Sequence, residues 1–336
     1  MGKFGYYLFY DHFYKIIEDV LECQLIRVND WMLHGKYHQK YIEYLVASDL
    51  NESKKGLLEH IIKRKVKIIN KNFTYKVRVY HNLLKKYYDF EEIKTKKIVL
   101  GQCYDGIMSI PLTEQENNYL LVGASGSGKS CLAQSIIQNL INNHVEVWIA
   151  DNKGSFDYDK FKLKQGKNVK ECLEMINQFE NVVESRLSEN KKHKPLLFII
   201  DEIFPLSCCD SKLKKATMNQ LALIMSRCRS ANCHLMLISQ RNTSDIIDTR
   251  LMANISIRIC LKTASKQESI NALDCDIAHK INTVGRGYVS INGELEEFQS
   301  FYLKNIEEVT DNGEINEERH GMLQLPSKDE TTGHWL

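Results

Sequence analysis

Leu120-Leu121-Val122-Gly123-Ala124-Ser125-Gly126-Ser127-Gly128-Lys129-Ser130 is the stretch on which the fold of this 336-residue chain turns. Its last eight residues satisfy G-x-x-x-x-G-K-[ST], with an apolar strand before them and a helical segment over residues 130–140 after them. The glycines let successive backbone N–H groups converge on phosphate oxygens. Lys129 brings a cation to the β and γ oxygens, and the Ser130 hydroxyl sits at a helix N-terminus where a magnesium shell forms. The loop predicts ATP and Mg2+ as ligands, with Gly123, Ala124, Ser125, Gly126, Ser127, Gly128, Lys129, Ser130 and Cys131 against the nucleotide.

A phosphate cradle without nearby acids binds nucleotide but does not hydrolyse it. Leu196-Leu197-Phe198-Ile199-Ile200-Asp201-Glu202 supplies two acids at the end of a second apolar strand. Asp201 is placed to hold magnesium through water alongside Ser130, and Glu202 to orient or activate the attacking water. A third strand ends in Leu237-Ile238-Ser239-Gln240-Arg241. If the sheet order puts that strand between the other two, Gln240 faces the γ-phosphate as a sensor.

Outward from these motifs, short apolar strands at 119–123, 145–151, 196–201 and 234–239 alternate with amphipathic helices. That pattern implies right-handed crossovers and a mainly parallel sheet, covered on both faces. Residues 288–291, Asn292-Gly293 and a run to Tyr302 read as a tight hairpin. Toward the N-terminus, Phe13, Ile16, Ile17, Val20 and Leu21 predict a helix behind an Asp11 cap. Tyr37, Tyr41 and Leu45 predict a second helix, and Leu57, Leu58, Ile61 and Ile62 a third. Phe73, Tyr75, Val77 and Val79 then alternate with polar residues, as a hairpin over 66–80 would. The predicted architecture is α/β: a RecA-like P-loop NTPase domain with a mainly parallel sheet over residues 96–307. A smaller α+β domain over 1–95 precedes it and a polar tail over 308–336 follows. Helices followed by a basic hairpin also suit a winged-helix-like DNA reader, but a small module packed on the next domain is the reading preferred.

Composition excludes several classes. With 43% hydrophobic residues and four prolines the chain is not extensively disordered. The longest apolar runs, 195–200 and 235–238, fall far short of the roughly 20 residues that span a bilayer. Met1-Gly2-Lys3-Phe4-Gly5-Tyr6 carries neither a signal peptide nor a myristoylation motif, so cytoplasmic residence without a membrane segment is expected. Ten scattered cysteines lack paired zinc-ligand spacing and read as reduced thiols. The net charge of +2 conceals a basic block over 54–97, which suits a surface tracking a phosphate backbone or an ordinary solvated face.

Further features stand in a fixed order. Leu100-Gly101 and Gly106 precede the phosphate loop; Ile149-Ala150-Asp151-Asn152-Lys153 follows it. Arg229-Ser230-Ala231-Asn232-Cys233-His234-Leu235 runs into Ser239-Gln240-Arg241, and Ala253-Asn254-Ile255, Arg258-Ile259 and Gly285-Arg286-Gly287 come after. Together these resemble the FtsK/SpoIIIE family of DNA translocases, within the FtsK-HerA group, over residues 96–304. The resemblance implies a homohexameric ring with ATP sites between subunits, each completed by a neighbour's arginine, for which Arg229 and Arg258 are the candidates. It also implies double-stranded DNA passing through the ring and touching basic loops. Lys212, Lys214 and Lys215 are the first choice for those contacts, and Lys153 with Tyr158 a weaker one.

Relative to the family, the membrane anchor, long linker and C-terminal winged helix are expected to be missing. Asn152 and Asn242 stand where the family has proline, and Tyr288 where it has aspartate. The short form is similar to those of bacterial mobile elements. An ATP-driven DNA translocase serving plasmid or mobile-element transfer or replication is therefore expected. The alternatives are a ring ATPase moving a protein, and a nucleotide-switched adaptor recruiting a relaxase or replication initiator through residues 1–95. The Asp201-Glu202 pair argues against a pure switch.

Overall fold

The computed structural model describes residues 13–26, 35–71, 74–113, 118–189, 191–243, 246–247 and 249–303. The expected Asp11 cap, Phe73 and the tail over 308–336 lie outside these residues.

α1 (Phe13–Leu21) buries Ile17 and Leu21, one turn apart, as its apolar spacing requires. They pack with Leu58 and Ile62 of α2 (Lys55–Ile62), the third helix expected from the sequence. The second expected helix does not form: β1 (Gly35–Tyr37) and β2 (Tyr41–Val46) take its place. In β2 the pattern that packs is the period-two set Ile42, Tyr44 and Val46, all buried in the same small core. The helical spacing of Tyr37, Tyr41 and Leu45 was incidental, because β-branched and aromatic residues favour the pleated alternative. β3 (Val66–Lys71) and β4 (Thr74–Tyr80) form the anticipated hairpin and complete a four-stranded antiparallel sheet, order β1-β2-β4-β3.

A second, ten-stranded sheet carries the remainder. Its strands are β5 (Ile98–Cys103), β6 (Gly106–Ile110), β7 (Asn118–Val122), β8 (Glu146–Asp151), β9 (Lys164–Gly166), β10 (Leu196–Asp201), β11 (Cys233–Ser239), β12 (Ile257–Leu261), β13 (Arg286–Ile291) and β14 (Glu294–Ser300). The spatial order is β6-β5-β14-β13-β12-β7-β11-β10-β8-β9. From β12 to β9 every neighbouring pair is parallel; from β12 through β13, β14 and β5 to β6 every pair is antiparallel. α3 (Lys129–Asn142) covers one face with Tyr119, Leu121, Ile199 and Met236 beneath it. α4 (Val169–Ser188) and α6 (Ser211–Cys228) cover the other, with Phe179 of α4 packed on Trp148 and Phe198; the short α5 (Phe204–Ser207) leads into α6. α7 (Thr249–Ala253) precedes β12, and α8 (Lys266–Leu273) follows it, opened by a capping box between Ser265 and Glu268. Asn292 and Gly293 both take positive φ, the paired left-handed geometry that a two-residue hairpin needs.

Part of the basic block over 54–97 is consumed inside the molecule, while Lys63, Lys85, Lys86, Lys94, Lys96 and Lys97 are exposed. Lys67 bridges Asp105 at 3.0 Å and Glu296 of β14 at 2.6 Å, while Lys65 reaches Glu297 at 3.0 Å. Lys76 and Arg78 hold the buried Glu43 at 3.0 and 2.9 Å, and Lys54 pairs with Glu22. For these residues neither sequence reading holds: the charges fasten the small sheet to the large one and to itself.

β5 meets β14 most closely at Gly101, where φ is +144° and a Cβ would stand 2.0 Å from the Gln299 carbonyl oxygen. Gly101→Ala is expected to destabilise the fold by roughly 2–4 kcal/mol, since neither backbone has room to yield. Urea unfolding checks this, and an unchanged midpoint would contradict it.

Candidate functional site

Parallel pairing aligns four strand ends. Val122 is opposite Ser239, Ile238 opposite Asp201, and Asp201 opposite Asp151, so the loops after β7, β11, β10 and β8 emerge side by side. β11 does lie between β7 and β10, which meets the condition set for Gln240.

The phosphate loop is moored at three points. The Gly123 amide donates to the Ser239 carbonyl (3.3 Å), the Ala124 amide to that of Lys262 (2.7 Å), and the Gly285 amide to that of Ser127 (2.9 Å). Gly126 and Gly128 adopt φ of +74° and +103°, which turns the loop's amides inward without a Cβ penalty. Ser125 is exposed, while Ser130 and Cys131 open the 14-residue α3 partly buried, with burial pushing the Cys131 thiol up. Lys129, only 6% exposed, donates to the Gly123 and Ala124 carbonyls at 2.6 and 2.9 Å. Burial, helped by the nearby Lys153 ammonium, pulls its pKa down to about 8.

Asp201 is buried at the end of β10. Its Oδ2 accepts a hydrogen bond from the Tyr158 hydroxyl at 2.8 Å, and its Oδ1 lies 3.4 Å from Lys153 Nζ. The ammonium of Lys153, the weaker of the DNA-contact candidates, turns to this acid, because the turn after β8 runs beside the end of β10. Glu202 takes a left-handed φ of +62° and is 5% exposed. Its Oε1 stands 3.4 Å from both the Ser239 hydroxyl and the Gln240 amide. Its Oε2 has no hydrogen-bond partner among the described residues, and neither do the buried Ser127 Oγ and Asn152 Oδ1. Buried polar atoms left open in this way fit a polar guest, as the Mg2+ and phosphate oxygens of a nucleotide would be. Ser130 and Asp201 are the residues that could hold such a metal. Asp151 is also buried, and burial with the neighbouring Asp201 carries its carboxyl above the usual range.

The remaining candidates divide by location. Lys212, Lys214 and Lys215 belong to the first turn of α6, not to a loop, behind an Asp210 side chain that accepts from the Lys212 and Leu213 amides. Lys212 and Lys215 are exposed, and the helix starts on the same sheet edge as the phosphate loop. Arg229 is exposed in the turn before β11, at the far end of that strand from the loop. Arg258 pairs with Asp274 at 3.0 Å and sits opposite Leu120, three residues and about 10 Å of strand short of Gly123. Sequence reasoning missed a cavity of about 310 Å³ beside the loop, lined by Ser125, Gly126, Lys262, Thr263, His279 and Asn282. No motif signals it, because it arises where the segments after β12 and before β13 cross the loop.

Comparison with known proteins agrees with this geometry. Residues 119–263 match the family model described as "ATPase family associated with various cellular activities (AAA)". The type VII secretion system protein EssC of Staphylococcus aureus is 28% identical over 251 residues, 62% of this chain; the chain spans only 16% of that protein's length. Among solved structures, the pCW3 conjugation coupling protein TcpA, in monomer form with ATPgS, superposes with a TM-score of 0.60 at 18% identity, covering 89% of this chain and 95% of that one. The cytoplasmic domain of the Thermomonospora curvata type VII secretion ATPase EccC does so with a TM-score of 0.52 at 20% identity, over 68% of this chain and 31% of that one. Residues 119–263 therefore form a P-loop ATPase domain, in a chain that shares its fold with a conjugation coupling protein and with type VII secretion ATPases.

Proposed function

We propose that the chain is an ATP-hydrolysing motor that moves double-stranded DNA through a homohexameric ring, acting as a coupling factor in the transfer or replication of a mobile element. The observation that carries this reading is the extent of the likeness to a conjugation coupling protein, 89% of this chain against 95% of the other, where the secretion ATPase matches 68% of this chain. Supporting it, Lys212 and Lys215 project from the nucleotide edge of the sheet as sequence-independent phosphate contacts would. A second reading, a motor for a protein substrate, is favoured by the sequence match to EssC. A relaxase or initiator is the partner the coupling role calls for. Among the described residues no helix is long and apolar enough to cross a membrane.

In this reading the loop amides and Lys129 take the β and γ oxygens, Lys129 leaving the Gly123 and Ala124 carbonyls to do so. Ser130 and Asp201 would hold a magnesium ion, which would supply charge neutralisation at those oxygens. Glu202 orients the water, Gln240 senses the γ-phosphate, and the cavity at Lys262, His279 and Asn282 takes the base and sugar. Arg229 and Arg258 both lie away from their own loop, so each suits service to a neighbouring subunit's site.

Lys129→Ala is expected to abolish ATP binding. Glu202→Gln is expected to keep binding while slowing hydrolysis by about 10²–10³-fold, as loss of a water-orienting carboxylate does. Titration with a fluorescent nucleotide and steady-state phosphate release measure the two. Lys212→Glu with Lys215→Glu is expected to remove stimulation of the ATPase by long duplex DNA and leave the DNA-free rate intact. Absence of any DNA stimulation in the unaltered protein, with stimulation by a secreted polypeptide, would transfer the assignment to the second reading.

The depressed pKa of Lys129 adds a pH test. Its folded value of about 8 is below the ordinary lysine value of 10.5, so the unfolded chain holds more protons between those limits. This group's contribution to stability therefore rises as pH climbs through that window. ATP binding, which needs the ammonium, is expected to take up a proton above pH 8 and to weaken by up to about tenfold per pH unit. Calorimetry in buffers of different ionisation enthalpy reads the proton uptake directly.

A further inference from the structure

Among the described residues, both side chains that hydrogen-bond the Asp201 carboxylate come from a single loop. Asp151 organises it: Oδ1 accepts from the Lys153 amide at 3.0 Å, Oδ2 from the Ser155 hydroxyl at 3.0 Å, and the Asp151 carbonyl from the Gly154 amide at 3.2 Å. This tight turn aims the Lys153 stem back at the end of β10. Lys153 and Tyr158 then take one carboxylate oxygen each, at 3.4 and 2.8 Å. The two contacts differ in kind. Tyr158 is 1% exposed and its bond is short, whereas the Lys153 side chain is 25% exposed and its bond is long. One contact is fixed and the other is exchangeable.

We propose that Lys153 is a built-in counter-ion for Asp201 that metal–nucleotide binding displaces, while Tyr158 is the positioning residue that keeps the carboxylate aimed during the exchange. This rests on the ATPase reading above. A buried carboxylate without a cation is costly, so something must neutralise Asp201 when no metal is present; among the described residues Lys153 is the cation paired with it, and the Lys129 ammonium attracts it from farther off. A divalent ion at the same carboxylate repels that ammonium and drives it outward. The same loop grips the second acid, since Asn152 Nδ2 donates to the Glu202 carbonyl at 3.0 Å. Asn152 stands where the resembled family has proline, which has no side-chain donor for such a bond. Departure of Lys153 thus loosens a turn tied to the residue that handles water.

The test is Mn2+ binding, followed by electron paramagnetic resonance at fixed ADP, in the full chain and in Lys153→Met and Tyr158→Phe. Lys153→Met is expected to bind Mn2+ about tenfold more tightly, and Tyr158→Phe several-fold more weakly. Thermal unfolding without metal or nucleotide is expected to show Lys153→Met melting below the unaltered protein, and Mn2+–ADP closing the gap. Should Lys153→Met fold poorly, Lys153→Gln tests the same loss of charge, and Lys153→Arg should behave as the unaltered chain. Metal affinity that is unchanged or weaker in both neutral variants overturns the proposal. Failure of the unaltered chain to bind ADP would instead overturn the ATPase reading.

Discussion

Parallel register is the constraint from which the rest follows. β7, β11, β10 and β8 run in one direction with their ends level, so four polar loops emerge from four apolar strands along one edge. Burial of those strands between two helical layers makes the edge rigid, and rigidity lets it hold Lys129, Asp151, Asp201 and Glu202 out of water. Each of these charges would be costly in isolation. Together they compensate one another: loop carbonyls accept from Lys129, and Lys153 with Tyr158 satisfies Asp201.

Much of this was legible because the signals are local. The phosphate loop is a continuous motif, the acids of β10 end an unbroken apolar run, and the Asn292-Gly293 turn announces its hairpin. What escaped notice depends on pairing across the chain. β2 carries a helical spacing and a strand spacing at once, and only the core beneath Ile42 and Tyr44 decides between them. Lys153 reads as a loop lysine until β8 is laid beside β10. The cavity at His279 and Asn282 has no sequence signature. α8 was available: Ser265-Lys266-Gln267-Glu268 has the spacing of a capping box, and both reciprocal bonds form.

The antiparallel half of the sheet links the nucleotide edge to the N-terminal module. Gly285 donates to the phosphate loop at Ser127 and accepts from Ser300 at the end of β14. β14 carries Glu296 and Glu297, which Lys67 and Lys65 of the small sheet neutralise. A glycine is required at 285, where φ is +73° and a Cβ would lie 2.4 Å from Ser300 Oγ. The turn that ends at Gly285, just before β13, is therefore a joint between two parts of the protein as well as a wall of the loop.

The ion pairs between the sheets bear on how the molecule can be taken apart. All the ion-pair partners of Asp105 and Glu296 among the described residues, Lys67 and Arg78, lie in the small sheet, whereas Glu297 keeps Arg286 beside it. A fragment shorn of residues 1–95 would leave Asp105, in the turn between β5 and β6, and Glu296 of β14 without these partners. Its surface potential there would turn negative and repel a polyanion. Weak binding of any polyanion by such a fragment would then report the exposed acids rather than the surface of the full chain.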